Sequence, residues 1–183
     1  MPVYALCVPL YAAVFMTTTQ VPFLLRSDGV ASASVQSWVL AMASMWNAVG
    51  AALYGRVRER VGGDHTFALS LLLMAVGQVV LGLAHHPVLT AVGCAIAGCG
   101  AGLAVPHMPA MVLERIDSEA RGRGLGLMYS ALYLGGFCNP LFVAPVAGFV
   151  GRHGSLIVSA CALAVGSAIA AWLARPNNPR SQA

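Results

Sequence analysis

Charged side chains in this chain are confined to short clusters, and the long stretches between the clusters are apolar. Only 9% of the 183 residues are charged and 58% are hydrophobic, which leaves too little polar surface for a water-soluble globule of this size. Each apolar stretch approaches the roughly 20 residues that an α-helix needs to cross about 30 Å of hydrocarbon. The six predicted spans are Pro2–Leu25, Val35–Tyr54, Phe67–Leu83, Val88–Leu113, Leu125–Val150 and Leu156–Leu173.

The spans predict helices, because the strands of a membrane barrel would alternate polar and apolar residues in runs of about ten. We therefore predict an all-α polytopic membrane protein, in which residues 1–183 form a single six-helix bundle in a lipid bilayer. The boundary between the last two spans is the least distinct, since Pro145, Gly148 and Gly151 interrupt it.

The arginines predict how the bundle is oriented. Eight of the ten follow the second, fourth and sixth spans, namely Arg56, Arg58, Arg60, Arg115, Arg121, Arg123, Arg175 and Arg180. Arg26 and Arg152 fall on the other side. By the positive-inside rule both termini are cytoplasmic, with residues 175–183 as a cytoplasmic tail of a multi-pass protein in the cell (inner) membrane. The same bias accounts for the net charge of +4, so no nucleic-acid partner is expected.

The N-terminus lacks the layout of a secretory signal. Positive charge would precede the apolar core of such a signal, whereas here the apolar run begins at Pro2 and the first arginine is Arg26. We interpret this as a late start or as one piece of a larger protein.

Several kinds of chemistry are not indicated by the sequence. The acidic residues Asp28, Glu59, Asp64, Glu114, Asp117 and Glu119 all map to predicted loops, so this chain alone offers no carboxylate relay through the membrane. Phosphate-binding loops, nucleophile elbows and zinc-protease motifs are missing, and we predict no enzyme, no catalytic residues and no cofactor. The histidines are scattered at positions 65, 85, 86, 107 and 153, which argues against a metal site. The cysteines, at positions 7, 94, 99, 138 and 161, lack CxxC spacing and are predicted to pack as small apolar residues.

The basic segment Gly55–His65 carries a resemblance to a known family. Gly55, Glu59-Arg60 and Gly62 fit the pattern of the cytoplasmic loop after the second helix of each half in the major facilitator superfamily of secondary transporters. Asp64 and His65 stand where the family has a basic pair, so the match is partial.

Three further segments are similar to the same family. Glu114–Gly124, with Arg121 at the expected place, resembles the loop before the penultimate helix. Gly135, Gly136, Asn139 and Pro140 resemble the glycine-proline break of that helix, and Gln20–Leu25 resembles the outer end of the seventh helix in drug and sugar efflux members. The resemblance covers nearly the whole chain as a C-terminal half, which implies a 3+3 inverted repeat of residues about 1–86 and 87–174.

The resemblance implies that Glu59 and Arg60, with Gly55, Gly62 and Arg121, form a gate that latches the cytoplasmic side in one state. A carboxylate beside a helix end can accept hydrogen bonds from free backbone N–H groups and interact with the helix macrodipole. The alternative is that the arginines only fix the topology.

Helical spacing gives candidate faces for a substrate path, since in this family helices one, two, four and five of this half border the cavity. The candidates are Tyr4, Tyr11, Phe15 and Thr18 in the first span, Ser37, Ser44 and Asn47 in the second, and Tyr129, Tyr133, Phe137 and Asn139 in the fifth. An aromatic stripe at this spacing is also typical of ordinary packing.

The fourth span offers two features. His107 lies between Pro106 and Pro109, where it could couple transport to protons or satisfy backbone carbonyls that the prolines free. Gly98 and Gly102 have GxxxG spacing, which favours a close helix crossing within the bundle or against a missing half.

The sequence thus predicts part of a secondary transporter that exports a small molecule by alternating access, with proton antiport as the expected coupling. Six spans alone cannot enclose the family's central cavity, so we expect a separate N-terminal half or a second copy as partner. The alternative is a truncated or non-transporting membrane module that acts as an assembly or interaction subunit.

Overall fold

The computed structural model describes residues 2–114 and 116–174, and within them the side chains from residue 12 onward except those of residues 142 and 173. Its helices are α1 (Pro2–Ser27), α2 (Ala33–Val61), α3 (Gly63–Leu83), α4 (Pro87–Glu114) and α5 (Arg121–Leu173), with one 3₁₀ turn at Ser118–Ala120. The all-α prediction is confirmed, since none of the described residues lies in a strand. Arg115, the predicted tail with Arg175 and Arg180, and the side chains of Tyr4, Cys7 and Tyr11 lie outside the described part.

Helix α5 is two helices joined at a break. Gly151 has φ 74° and ψ 173°, a backbone conformation that only glycine adopts without strain. The break separates residues 121–150 (α5a) from residues 152–173 (α5b). Residues 2–114 and 116–174 therefore contain six α-helical segments, and the indistinct boundary predicted between the last two spans falls at this glycine.

Three stretches of the described residues are long and apolar enough to cross a membrane: Gly63–Leu83, Pro87–Glu114 and Val143–Trp172. The first two correspond to the third and fourth predicted spans, and the third extends across the break at Gly151. By length and composition, the first two segments agree with the predicted third and fourth spans.

The predicted loop Gly55–His65 is wrong in its conformation. Helix α2 continues to Val61 and α3 begins at Gly63, so that Gly62 alone connects the two helices. Gly62 has φ 83°, which explains why a glycine is needed there. Glu59, Asp64 and Glu114 accordingly lie in helix ends rather than in loops.

Helix α4 is the central element, because α2 and α3 both pack against it. A side-chain carbon added to Gly98 would overlap the carbonyl oxygen of Ala43, and one added to Gly102 would overlap that of Asn47, so α2 lies in backbone contact with α4. Gly100 faces α3 instead, where an added carbon would lie 2.7 Å from the Ser70 carbonyl oxygen. The predicted glycine crossing is confirmed and lies within the bundle.

Helix α5 packs against α3 and α1 through two apolar clusters. Met74, Met108 and Met128 belong to the first cluster, toward the end of the bundle that carries Arg58. Leu24, Leu81 and Leu156 belong to the second, toward the end that carries Arg152. In lipid such clusters hold helices together mainly by van der Waals packing.

Candidate functional site

A cleft with a volume of about 200 Å³ lies between α1, α2, α3 and α4. Three of the predicted path residues line it, namely Thr18, Ser44 and Asn47. The other lining residues are Val14, Thr17, Ala43, Met74, Ala97, Gly98 and Ala101. Gly98 lies both in the cleft wall and at the crossing of α2 and α4, so the position of the wall depends on that crossing.

The hydroxyl groups of the cleft are oriented by their own helices. Thr18 Oγ1 donates a hydrogen bond to the Phe15 carbonyl at 3.0 Å, and Ser44 Oγ donates to the Leu40 carbonyl at 3.4 Å. Their oxygen lone pairs remain as acceptors, while the Asn47 amide can both donate and accept. The cleft can therefore bind an uncharged, partly polar molecule.

Two other predicted path residues pack between α1 and α5a. Asn139 is buried, donates from Nδ2 to the Ala12 carbonyl at 2.6 Å, and accepts from Thr19 Oγ1 at 3.2 Å. Phe15 is partly buried beside Gly136, where an added carbon would lie 2.8 Å from its ring. Both residues connect the two helices instead of lining the cleft.

Gln78 is a polar residue that the sequence reasoning missed. It is fully buried in α3 and donates from Nε2 to the Ala13 carbonyl at 3.1 Å. Together with Asn139, it attaches two side-chain amides to adjacent carbonyls of α1. Its one signal in the sequence is that it is the only amide in the apolar run of the third span.

The aromatic residues of α5a form an exposed face. Tyr129, Tyr133 and Phe137 are 45%, 68% and 78% exposed, so their four-residue spacing does place them on one side of the helix. None of the three residues lines the cleft.

His107 belongs to a polar group at the Arg58 end of the bundle. It is buried, its ring stacks on Phe67 with 5.6 Å between centroids, and its Nδ1 lies 3.3 Å from the Tyr54 hydroxyl. Tyr54 in turn accepts a hydrogen bond from Arg58 Nη1 at 3.3 Å. The contacts of His107 thus connect α4 to both α2 and α3.

The charged contact at this end is the ion pair between Arg58 of α2 and Glu114 of α4. The hydrogen bond to Glu114 raises the pKa of Arg58 above its ordinary value. The predicted gate residues Glu59, Arg60 and Arg121 are exposed, and within the described residues none of them has an ion-pair partner. The sequence therefore predicted Glu59 and Arg60 as gate residues, whereas the residue that connects α2 to α4 is their neighbour Arg58.

A second polar group lies at the opposite end, where Asp28, His85 and His153 come together. His153 Nε2 lies 3.1 Å from Asp28 Oδ1, and the two histidine rings are 4.6 Å apart. These residues are far apart in the sequence, but the fold brings them together. The scattered sequence positions of the histidines, which argued against a metal site, therefore do not hold for the spacing of His85 and His153 in the structure.

Apolar helices in backbone contact through glycines, with a partly polar cleft between them, define a polytopic helical membrane protein. Residues 4–183 match the Major Facilitator Superfamily, and the chain belongs to this family. The family consists of transporters, so the prediction that the chain is not an enzyme is confirmed.

Curated relatives match parts of the chain. An uncharacterised MFS-type transporter of Salmonella typhimurium is 32% identical over 120 residues, which cover 64% of this chain and 30% of the relative. Multidrug resistance protein MdtH of Citrobacter koseri is 32% identical over 74 residues, which cover 40% of this chain and 18% of the relative. The same figures hold for MdtH of Salmonella paratyphi B. The chain thus matches less than a third of the length of these relatives.

Proposed function

We propose that this chain is the C-terminal six-helix half of a secondary transporter that exports a small molecule in exchange for protons. Family membership supports transport, and the similarity to a relative named a multidrug resistance protein supports export. None of the residues that line the cleft carries a carboxylate, so the proton-binding acid belongs in this proposal to the other half.

The proposed topology follows from the arginines. The end with Arg58 and Glu114 faces the cytoplasm, both termini lie on that side, and the protein lies in the inner membrane. Residues about 1–86 and 87–174 form two three-helix repeats that move relative to each other or to the second half during alternating access.

The observation that carries the proposal is the cleft with Thr18, Ser44 and Asn47. Its volume of about 200 Å³ is below the roughly 300–1,000 Å³ typical of small-molecule sites. The cleft would therefore supply one wall of the substrate site, and a second six-helix half or a second copy of the chain would supply the other. Uncharged polar groups beside Val14 and Met74 suit a neutral or weakly polar solute.

The exposed aromatic face of α5a supports a partner. Tyr133 and Phe137 are more than two-thirds exposed, and aromatic side chains of this size contribute strongly to interfaces. In the proposal this face borders the central cavity or the second half, as the predicted substrate-path role of Tyr129, Tyr133 and Phe137 requires.

The cytoplasmic gate in this proposal includes Arg58 and Glu114 besides the predicted Glu59 and Arg60. The ion pair joins α2 to α4, so a state in which these helix ends separate has to break it. Because both side chains are partly exposed, the pair contributes at most about 1 kcal/mol, which suits a contact that forms and breaks in each cycle.

The cleft is tested by flux measurements on the full transporter in inverted membrane vesicles. Asn47→Ala removes a group that can hydrogen-bond the solute, and losing about 0.5–1.5 kcal/mol of binding raises KM about two- to twelvefold. Ser27→Ala is the matched control, because Ser27 ends α1 outside the cleft and its hydroxyl donates to the Leu24 carbonyl of its own helix. Unchanged KM in Asn47→Ala, Ser44→Ala and Thr18→Ala would refute the cleft as the substrate site.

The gate is tested by comparing two arginines of the same helix end. Arg56→Ala and Arg58→Ala remove the same charge from the topology signal, but only Arg58 has an ion pair to Glu114. We expect lower flux in Arg58→Ala, Glu59→Ala and Arg60→Ala with normal membrane insertion, and wild-type flux in Arg56→Ala. If all four variants kept wild-type flux, the arginines would have a topological role alone. If the chain gave no flux even together with a second half, an assembly subunit would be favoured.

A further inference from the structure

We infer that Asp28, His85 and His153 form a binding site for a divalent transition-metal ion, with Zn²⁺ as the best match. The site lies at the end of the bundle opposite the Arg58–Glu114 pair. Each ligand comes from a different part of the chain: Asp28 follows α1, His85 lies between α3 and α4, and His153 lies in the first turn of α5b, after the break at Gly151. The inference is independent of whether the chain transports anything.

The distances suit a metal ion. One ligand atom from each residue can be chosen so that all three lie within 4.8 Å of one another, and His153 Nε2 is 3.1 Å from Asp28 Oδ1. In a tetrahedral zinc site, bonds of about 2.0–2.2 Å place the ligand atoms roughly 3.3–3.5 Å apart. His85 is exposed on the short connection between α3 and α4. A small rotation of its side chain would therefore bring its ring nitrogen to the distance that a zinc site needs.

The hydrogen bonding of His153 favours a positive charge beside Asp28. Its Nδ1 lies 3.2 Å from the Gly82 carbonyl oxygen, which only accepts, so Nδ1 carries the hydrogen there. In the neutral ring Nε2 then presents a lone pair to Asp28 Oδ1, which is also an acceptor. A metal ion between these two atoms resolves the conflict. A histidine whose other nitrogen donates to a backbone carbonyl is the usual arrangement of a metal ligand.

Asp28 provides a second, independent indication. Its Oδ2 is buried and has no hydrogen-bond partner among the described residues, although a buried carboxylate oxygen ordinarily has one. A proton on His153 would satisfy the contact at Oδ1, but it would leave the adjacent His85 without a role. A metal ion uses both histidines and the carboxylate.

The fold holds the three ligands in place. Gly29, with φ 82°, turns the chain after Asp28, and the backbone of Val30 donates to the Leu25 carbonyl at 2.8 Å to close that turn. Gly82 lets α3 approach α5b closely, since an added carbon would lie 2.6 Å from Ile157 and 3.1 Å from the His153 carbonyl oxygen. A bound ion would therefore tie the ends of α1, α3 and α5b together.

The ligand types select the metal. Two imidazole nitrogens and one carboxylate suit Zn²⁺ and neighbouring ions such as Co²⁺ and Ni²⁺, whereas Mg²⁺ and Ca²⁺ prefer oxygen ligands alone. Three protein ligands leave a fourth position for water.

The test is a titration of the purified full-length protein, stripped with a chelator, with Zn²⁺ alone by isothermal titration calorimetry. We expect one Zn²⁺ per chain, no saturable binding of Mg²⁺, and at least a tenfold loss of Zn²⁺ affinity in each of His85→Ala, His153→Ala and Asp28→Asn. His86→Ala is the matched control, because His86 is the exposed neighbour of His85 and its Nδ1 accepts from the Val88 amide at 3.3 Å. Its affinity should equal that of the wild type.

Three results would overturn the inference: no saturable Zn²⁺ binding by the wild type, an unchanged affinity in His85→Ala, or an equal loss in His86→Ala. His85 is exposed, so its replacement leaves folding intact and decides the question even if His153→Ala does not fold. Loss of flux in the cleft variants has no bearing on this titration, so the two proposals fail separately.

Discussion

Replacing Gly102 by alanine tests the close contact between α2 and α4, on which the cleft depends. The added carbon would overlap the carbonyl oxygen of Asn47 and would lie 2.9 Å from both the Ala51 nitrogen and the Gly50 Cα. All three are backbone atoms of α2, so no side chain can rotate away. The helices have to separate or the new methyl group stays overpacked.

The size of the effect follows from a comparison with Gly55→Ala. Gly55 lies inside α2, and an added carbon there meets nothing within 4 Å. Both substitutions gain about 1 kcal/mol of helix propensity, so the difference between them isolates the overpacking, which costs about 1–3 kcal/mol. For a chain of this size 1 kcal/mol corresponds to about 3 °C, so Gly102→Ala should melt roughly 3–9 °C below Gly55→Ala.

The assay is thermal unfolding of the purified variants in detergent, followed by the loss of helical circular dichroism. Flux in vesicles should fall with the melting temperature for Gly102→Ala, because Gly98 one turn earlier lines the cleft. If Gly102→Ala melted at or above the temperature of Gly55→Ala, the α2–α4 backbone contact would be refuted.

Four more outcomes follow from single contacts. Gly62→Ala should lower the free energy of unfolding by about 1–3 kcal/mol, because φ 83° with ψ 162° is nearly restricted to glycine; no change in melting would contradict this. A double-mutant cycle on Arg58 and Glu114 should give a coupling below about 1 kcal/mol that weakens in salt, and a larger, salt-independent value would show that the pair is shielded from water. Asn139→Ala should cost about 1–3 kcal/mol in unfolding experiments, since a carbonyl of α1 loses its donor; wild-type stability would remove that contact. His107→Ala should lower thermal stability through its lost stacking and leave the pH profile of flux unchanged, whereas an altered profile would favour proton coupling.

The helical segments could be predicted because their cause is local. A segment in lipid satisfies its backbone hydrogen bonds within itself, so a long apolar run is enough to indicate a helix. The run from Phe67 to Leu83 and the glycines at 98 and 102 were recognised in this way, and the structure has α3 and the α2–α4 crossing there. However, an apolar run does not predict accurately where a helix ends. The continuation of α2 to Val61 was missed because a cluster of arginines at a helix end resembles a charged loop.

The partner of each side chain depends on how a helix is rotated, which no local pattern specifies. One residue along an α-helix turns the side chain by about 100°, so choosing Glu59 and Arg60 instead of Arg58 points to a different face of α2. The same ambiguity applies to Asn139. Its position along the helix allowed its side chain to face a substrate path, but the packing of α5a turns that side chain toward α1.

The sequence by itself determined the class of this protein, its helices and its resemblance to a transporter family, because composition and apolar run length act within each segment. Only the tertiary structure decided which of the polar residues meet. Arg58 and Glu114 are 56 residues apart, and Asp28 and His153 are 125 apart. Contacts over such separations arise from helix packing at glycines and from the break at Gly151, so they exist only once the helices have assembled.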